Sequence, residues 1–233
     1  MSATPGSPRY SDRDQAGREL ARRLDGVVVP PLVVIGIPRG GLLVAWPIAE
    51  RFRSPLTVSF ARKLSLPIAP ELAVGALDED GHVSVDHQTL HELRGSLRDL
   101  SAARERAAVQ IRRQQELYRA PSLVERLADS TAVLVDDGLA TGATLRAALA
   151  RLRRRGARWV VVAVPCASAP AAEAVAREAD RFVCPIVDPA FFAVGAYYDA
   201  FDQVSDGQVS AILERARPFA GEPPPPGPRP SAR

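Results

Sequence analysis

Lysine is almost missing from this chain. Of its 30 basic residues, every one except Lys63 is an arginine. A GC-rich coding sequence accounts for the arginines. The one lysine left beside Arg62 still stands out, because an ammonium and a guanidinium are not equivalent at a phosphate site. Cysteine is scarce too. Cys166 and Cys184 are too few and too far apart for a disulfide framework, and each lies in an apolar, strand-like setting. Both read as small buried residues rather than nucleophiles. No apolar run is long enough to span a bilayer, and residues 1–10 lack the apolar core of a secretion signal, so a cytoplasmic location is expected. Only three histidines occur, His82, His87 and His91. No cysteine joins them, and they read as solvated or locally bonded side chains, with no protein-held metal expected. No internal repeat is visible.

What remains is an ordinary globular composition. The chain has 233 residues, 46% of them apolar, and a net charge of +3. That length supports one core with a small hood. The modest positive charge suits an anionic ligand without demanding nucleic acid.

The most informative stretch is Val133-Leu134-Val135-Asp136-Asp137-Gly138-Leu139-Ala140-Thr141-Gly142-Ala143-Thr144-Leu145. A short, β-branched apolar run reads as a buried parallel strand. Two carboxylates stand at its carboxyl end, where α/β sheets place ligands. Ionised carboxylates only accept hydrogen bonds, so an adjacent pair suits the two hydroxyls of a ribose diol. From Ala140 to Thr144 the chain offers backbone N–H groups, two hydroxyls and a helix amino terminus, a place for a phosphate dianion. The bland alternative is a strand entering an Asx-type turn and a helix cap.

This segment closely resembles the phosphoribosyl-diphosphate (PRPP) motif of the type I phosphoribosyltransferases. The resemblance implies that Asp136 and Asp137 hold the ribose hydroxyls. It implies that Ala140, Thr141, Gly142, Ala143 and Thr144 hold the 5′-phosphate. The family's pyrophosphate loop, which often contains a cis peptide, corresponds to Pro38-Arg39-Gly40-Gly41, so Arg39 and Gly40 take that role. Basic residues after the next strand, here Arg62 and Lys63, would meet the pyrophosphate, with Lys63 and Arg39 bearing the leaving-group charge. Mg²⁺ is implied as a cofactor, carried mainly by PRPP and water, and so are dimers. Many members that use 6-oxopurines carry an acid where this chain has Ala140, which makes hypoxanthine or guanine a doubtful acceptor and leaves the acceptor open. The overall arrangement resembles the branch described only as predicted phosphoribosyltransferases.

The rest of the chain supports an α/β fold, a parallel sheet with helices on both faces. Residues 11–24 read as an amphipathic helix capped by Ser11. Strands are expected at 32–37, 56–61, 132–135, 159–164 and 181–184. A helix through residue 52 follows the first, another after Leu145 is stopped by Gly156, and a third covers 170–178. Weaker strands at 72–77 and 82–85 form a hairpin. Residues 89–118 form a long helical insertion broken near Gly95. The core thus spans 32–184, a hood 185–217 completes a single domain from 1 to 217, and the Pro-rich stretch 218–233 reads as disordered. Arg151, Arg153, Arg154, Arg155 and Arg158 sit at a helix end, where cations complement the dipole, a reading preferred to a nucleic-acid patch. Phe191, Phe192, Tyr197, Tyr198 and Phe201 are expected mainly to pack the hood, with one or two left for the acceptor. PRPP-dependent transfer to a nitrogenous acceptor is the leading reading. The alternatives are a non-catalytic PRPP sensor that binds nucleic acid or a partner protein, and a nucleotide-phosphate module whose partner does the chemistry.

Overall fold

The apolar runs pair as a five-stranded parallel sheet. The computed structural model describes residues 9–220 apart from 71, 97 and 123. In chain order the first elements are α1 (Arg13–Arg23), β1 (Leu32–Gly36), α2 (Gly40–Phe52) and β2 (Leu56–Val58). They are followed by β3 (Ala61–Leu64), β4 (Gly75–Asp78), β5 (Val83–Val85), α3 (His87–Glu92) and α4 (Asp99–Tyr118). Then come β6 (Thr131–Val135), α5 (Ala143–Arg154), β7 (Trp159–Ala163), β8 (Cys166–Ser168) and α6 (Ala169–Glu178). The last are β9 (Arg181–Val183), β10 (Ile186–Asp188) and α7 (Asp206–Ala216).

The main sheet has the order β2-β1-β6-β7-β9, so the chain leaves β1 towards one edge and later returns to its other side at β6. Loops diverge at such a switch point and open a crevice at the carboxyl ends of the strands. The register fixes which loops share it. Gly36 lies opposite Val135, so the loops after β1 and β6 start side by side. Ile37 N donates to Val135 O at 2.9 Å and keeps them together.

Strand alternation divides the core in two. Leu32 and Val34 join α2 and α7 on one face, and Val33 and Ile35 join α5 and α6 on the other. The apolar clustering on the first face also takes in Leu64, Leu77, Leu100 and Ile111, so the smaller sheet β3-β4-β5 and α4 share that core. Ala61 and Ala76 pack on Ala147 of α5.

Several expectations need adjustment. The cap of α1 is Asp12, whose carboxylate accepts from Gln15 N at 2.8 Å, not Ser11. The strand expected at 56–61 is two strands in two sheets. Ser59 N still bonds Gly36 O, but Phe60 N turns to the Glu79 carboxylate, and the chain enters the small antiparallel sheet. The helical insertion is α3 plus α4, parted around Gly95. The expected hood also divides. Residues 186–201 lie beside the crevice, with β10 paired to β8, whereas α7 packs back on α2 and α4. Residues 218–220 belong to a 3-10 turn, Arg217–Ala220. The remainder of the stretch expected to be disordered lies outside the described residues.

Candidate active site

The acid pair leaves β6 directly into the crevice. Asp136 Oδ1 accepts from the backbone N–H of Asp137 at 2.9 Å. Burial, then the neighbouring Asp137 charge, push the Asp136 carboxyl well above its ordinary value. Asp137 lies over the start of α2. A Cβ on Gly40 would sit 1.8 Å from Asp137 Oδ2 and 3.0 Å from Arg13 Nε, so any side chain there would push the Asp137 carboxylate aside. Gly40 is expected to admit pyrophosphate, and its missing side chain also makes room for the Asp137 carboxylate. Arg13 Nε donates to Asp137 Oδ2 at 2.8 Å, and Tyr198 Oη donates to the Asp137 carbonyl at 2.6 Å.

The second half of the motif is strapped to β8. Leu139 N bonds Cys166 O and Ser168 N bonds Leu139 O, both at 2.9 Å. Ser168 Oγ donates to the Ala140 carbonyl at 2.7 Å. Gly142 then turns the chain with φ at 77°, a left-handed conformation that favours glycine, and α5 begins without any side-chain cap. Glycine at the cap leaves its first N–H groups without a capping side chain among the described residues, which is the setting for an anion. Ala140 and Thr141 are exposed, and Ala143 and Thr144 are half-buried.

Arg39 follows a cis peptide after Pro38 and ends beside α7, with its Nη1 3.7 Å from Asp206 Oδ1. Tyr118 of α4 donates to the same carboxylate oxygen, Gln114 Nε2 lies 3.3 Å from Tyr118 Oη, and Arg62 Nη2 donates to Gln114 Oε1 at 2.6 Å. Burial of Arg62, together with the Arg39 charge, lowers its pKa, while Tyr118 and Asp206 oppose that shift. Burial, then the Asp206 hydrogen bond, raise the Tyr118 phenol to about 12. The structure thus brings Arg39 and Arg62 into one network. It does not bring Lys63 with them. Both basic residues lie within β3, not after it, and successive residues of a strand point to opposite faces. Arg62 faces α4, and Lys63 is exposed on the other side.

The other candidates fall outside this constellation. All three histidines are exposed, and among the described residues no three His, Cys, Asp or Glu groups converge as metal ligands. Burial pushes both thiols up, Cys184 to about 12 and Cys166 further, which fits inert packing. Arg151, Arg154 and Arg155 pair with Glu79, Asp78 and Asp80 of the β4–β5 turn, and Arg153 pairs with Asp180. Four of the five arginines thus have carboxylate partners, and three of these lie in the last turn of α5 as expected. Phe191 stacks on Tyr197 and Tyr198 on Phe201, each with centroids 5.0 Å apart, while Phe192 is 82% exposed. Arg13, Ser168 and Asp206 stand against these candidate residues although the sequence reading did not name them, and Tyr198, read there as hood packing or acceptor contact, holds the Asp137 carbonyl instead. Only Asp206 had a signal, the Ser205-x-x-Gln208 capping box that starts α7.

A parallel sheet carrying an acid pair and an uncapped glycine loop at its switch-point crevice defines an α/β domain of type I phosphoribosyltransferase architecture. The chain belongs to the family described as "Phosphoribosyl transferase domain", whose model matches residues 15–200. Two Mycobacterium tuberculosis proteins (strains CDC 1551 / Oshkosh and ATCC 25618 / H37Rv), provisionally named as phosphoribosyl transferases, are each 40% identical over 212 residues. The match covers 91% of this chain and 48% of theirs, so the chain spans about half the length of these curated relatives. The crystal structure of TT1426 from Thermus thermophilus is similar over 89% of this chain and 98% of that one, with a TM-score of 0.72 and 38% identity.

Proposed function

We propose that this chain transfers the phosphoribosyl group of PRPP to a nitrogenous acceptor and releases pyrophosphate. The carrying observation is convergence. The acid pair, the uncapped amino terminus of α5 and the Arg39 loop open from two adjacent strand ends of one crevice. In this reading Asp136 and Asp137 accept from the ribose hydroxyls. Backbone N–H groups from Ala140 to Thr144, with the Thr141 and Thr144 hydroxyls, hold the 5′-phosphate. The acceptor nitrogen attacks C1 of the ribose while the C1–oxygen bond to pyrophosphate breaks, with inversion. Negative charge grows on the departing pyrophosphate, and the Arg39–Arg62 network supplies fixed positive charge for it. Lys63, on the opposite face of β3, is retained as a weaker contributor.

The site also suits magnesium. Mg²⁺ prefers hard oxygen ligands and keeps much of its water, so an ion carried by PRPP would face Asp136 and Asp137 through water. It would neutralise pyrophosphate charge. Alanine at 140 offers an acceptor base no side-chain acid, in keeping with an acceptor other than hypoxanthine or guanine. A cytoplasmic site of action belongs to the same proposal.

The test is a product assay with PRPP, Mg²⁺ and a panel of nucleobases and other nitrogen nucleophiles. Pyrophosphate release with at least one acceptor is expected, and Lys63→Ala should lower kcat less than Arg39→Ala does. PRPP binding without turnover across a broad panel would count against transfer and favour a sensing role.

A further inference from the structure

Arg13 belongs to α1, far along the chain from the motif, yet it ends inside the crevice. Its side chain is only 10% exposed. The guanidinium is held on three sides. Nε donates to Asp137 Oδ2 at 2.8 Å, Nη1 donates to the Asp202 carbonyl at 3.0 Å, and the Phe201 ring lies 3.8 Å beneath Cζ. The Tyr198 ring stands 5.9 Å away, and its hydroxyl holds the Asp137 carbonyl. Gly40 closes the remaining side of the carboxylate.

We infer that Arg13 is a positioning residue for the ribose subsite, fixing the Asp137 carboxylate for the sugar diol and tying α1 and residues 198–202 to that task. The inference rests on the PRPP reading above. A purely structural arginine would be at home against any carboxylate or carbonyl, but this one engages a carboxylate of the acid pair itself. One N–H donor occupies one lone-pair direction of a group that has about four, so Asp137 keeps acceptor capacity for a hydroxyl. The guanidinium also offsets repulsion between two adjacent, partly buried carboxylates. A lysine could supply the charge but not the planar fork that reaches Asp137 and Asp202 together while stacking on Phe201. Holding the acceptor in place before the ligand arrives removes an ordering cost from binding.

The test is calorimetry on the full chain with three probes: PRPP with Mg²⁺, ribose 5-phosphate, and inorganic pyrophosphate with Mg²⁺. Arg13→Ala should weaken both sugar ligands roughly tenfold, as expected when a hydrogen bond to a charged group is lost. Pyrophosphate affinity should stay within about twofold, well under the tenfold of a lost charged contact. Arg13→Lys should recover part of the loss. In an Asp137→Asn background, Arg13→Ala should add almost nothing, because it acts through that carboxylate. If Arg13→Ala does not fold, Phe201→Leu, which removes the ring stacked under Arg13 and against Tyr198, both of which hold Asp137, should show the same selectivity at smaller size. Equal losses for pyrophosphate and sugar ligands, or independent multiplication of the Arg13 and Asp137 effects, would overturn the inference. So would unchanged PRPP affinity in a folded variant. Wild-type protein that binds no PRPP would overturn both the PRPP reading and this one, whereas wild-type binding with an indifferent Arg13 would sink this one alone.

Discussion

Asp136 and Asp137 are neighbours in sequence with different surroundings. Asp137 has a guanidinium against it, whereas Asp136 has a backbone N–H, burial and a like charge beside it. Burial and then Asp137 hold the Asp136 carboxyl well above its ordinary value, and Arg13 works in the opposite direction. Sugar hydroxyls donate to a carboxylate and favour its ionised form. PRPP binding should therefore displace a proton from Asp136, and affinity should rise with pH until that group is fully ionised without ligand. Calorimetry in two buffers of different ionisation enthalpy reads the proton directly, and a buffer-independent heat would show that Asp136 does not titrate on binding. The same group has a sign for folding. Its folded-state pKa exceeds the unfolded one, so the folded protein holds the extra proton and stability falls as pH rises across that interval. The acid pair was legible in the sequence because strand, carboxylates and loop are contiguous. Arg13 was not, because its partners are brought to it only by tertiary structure and no local pattern marks it.

At the scale of elements, α5 joins two parts of the site. Its amino end is the Gly142 loop, and its carboxyl end grips the turn of the hairpin whose partner strand carries Arg62. The grip is ionic. Arg151 Nη1 lies 3.0 Å from Glu79 Oε1, both side chains are 11% exposed, and they line a cavity of about 230 Å³ with Phe60 and Leu127. Arg151 Nε is 3.1 Å from Asp80 Oδ2 but is not aligned to donate to it. Arg151→Ala would leave Glu79 without its cation. It should cost on the order of 3 kcal/mol at neutral pH. Burial already raises Glu79, and the Arg151 charge is the first influence opposing that. The penalty should therefore shrink as pH falls and Glu79 takes up a proton in both states. Urea unfolding at two pH values checks this, and an equal loss at both would refute it. The strands of the main sheet, α2, α5 and the hairpin were legible from periodicity and turn residues, whereas the short pair β8 and β10 went unread. The split at Ser59–Phe60 was not, because an unbroken apolar run does not reveal where its hydrogen-bond partners change. α7 went unread although Val209, Leu213 and Ala216 are buried on one face and a capping box starts it.

For the whole molecule, the decisive property is that the smaller sheet and α4 have no separate core. Their apolar residues join the α2 face of the main sheet. The described residues should then unfold together, with tryptophan fluorescence and far-ultraviolet circular dichroism giving coincident transitions. PRPP with Mg²⁺ at about 100 times its Kd should raise the midpoint by roughly 5–10 °C, since that occupancy adds about 2.7 kcal/mol to a chain of this size. Two separated transitions, only one of them moved by ligand, would show the hairpin and α4 to be an independent unit.

The bare α-carbon at position 40 has an evolutionary corollary. Any branch of relatives that acquires a side chain there should also have exchanged the aspartate at 137 for something shorter, or let Arg13 go. These three positions, scattered across more than half of the chain, should drift as one character or not at all.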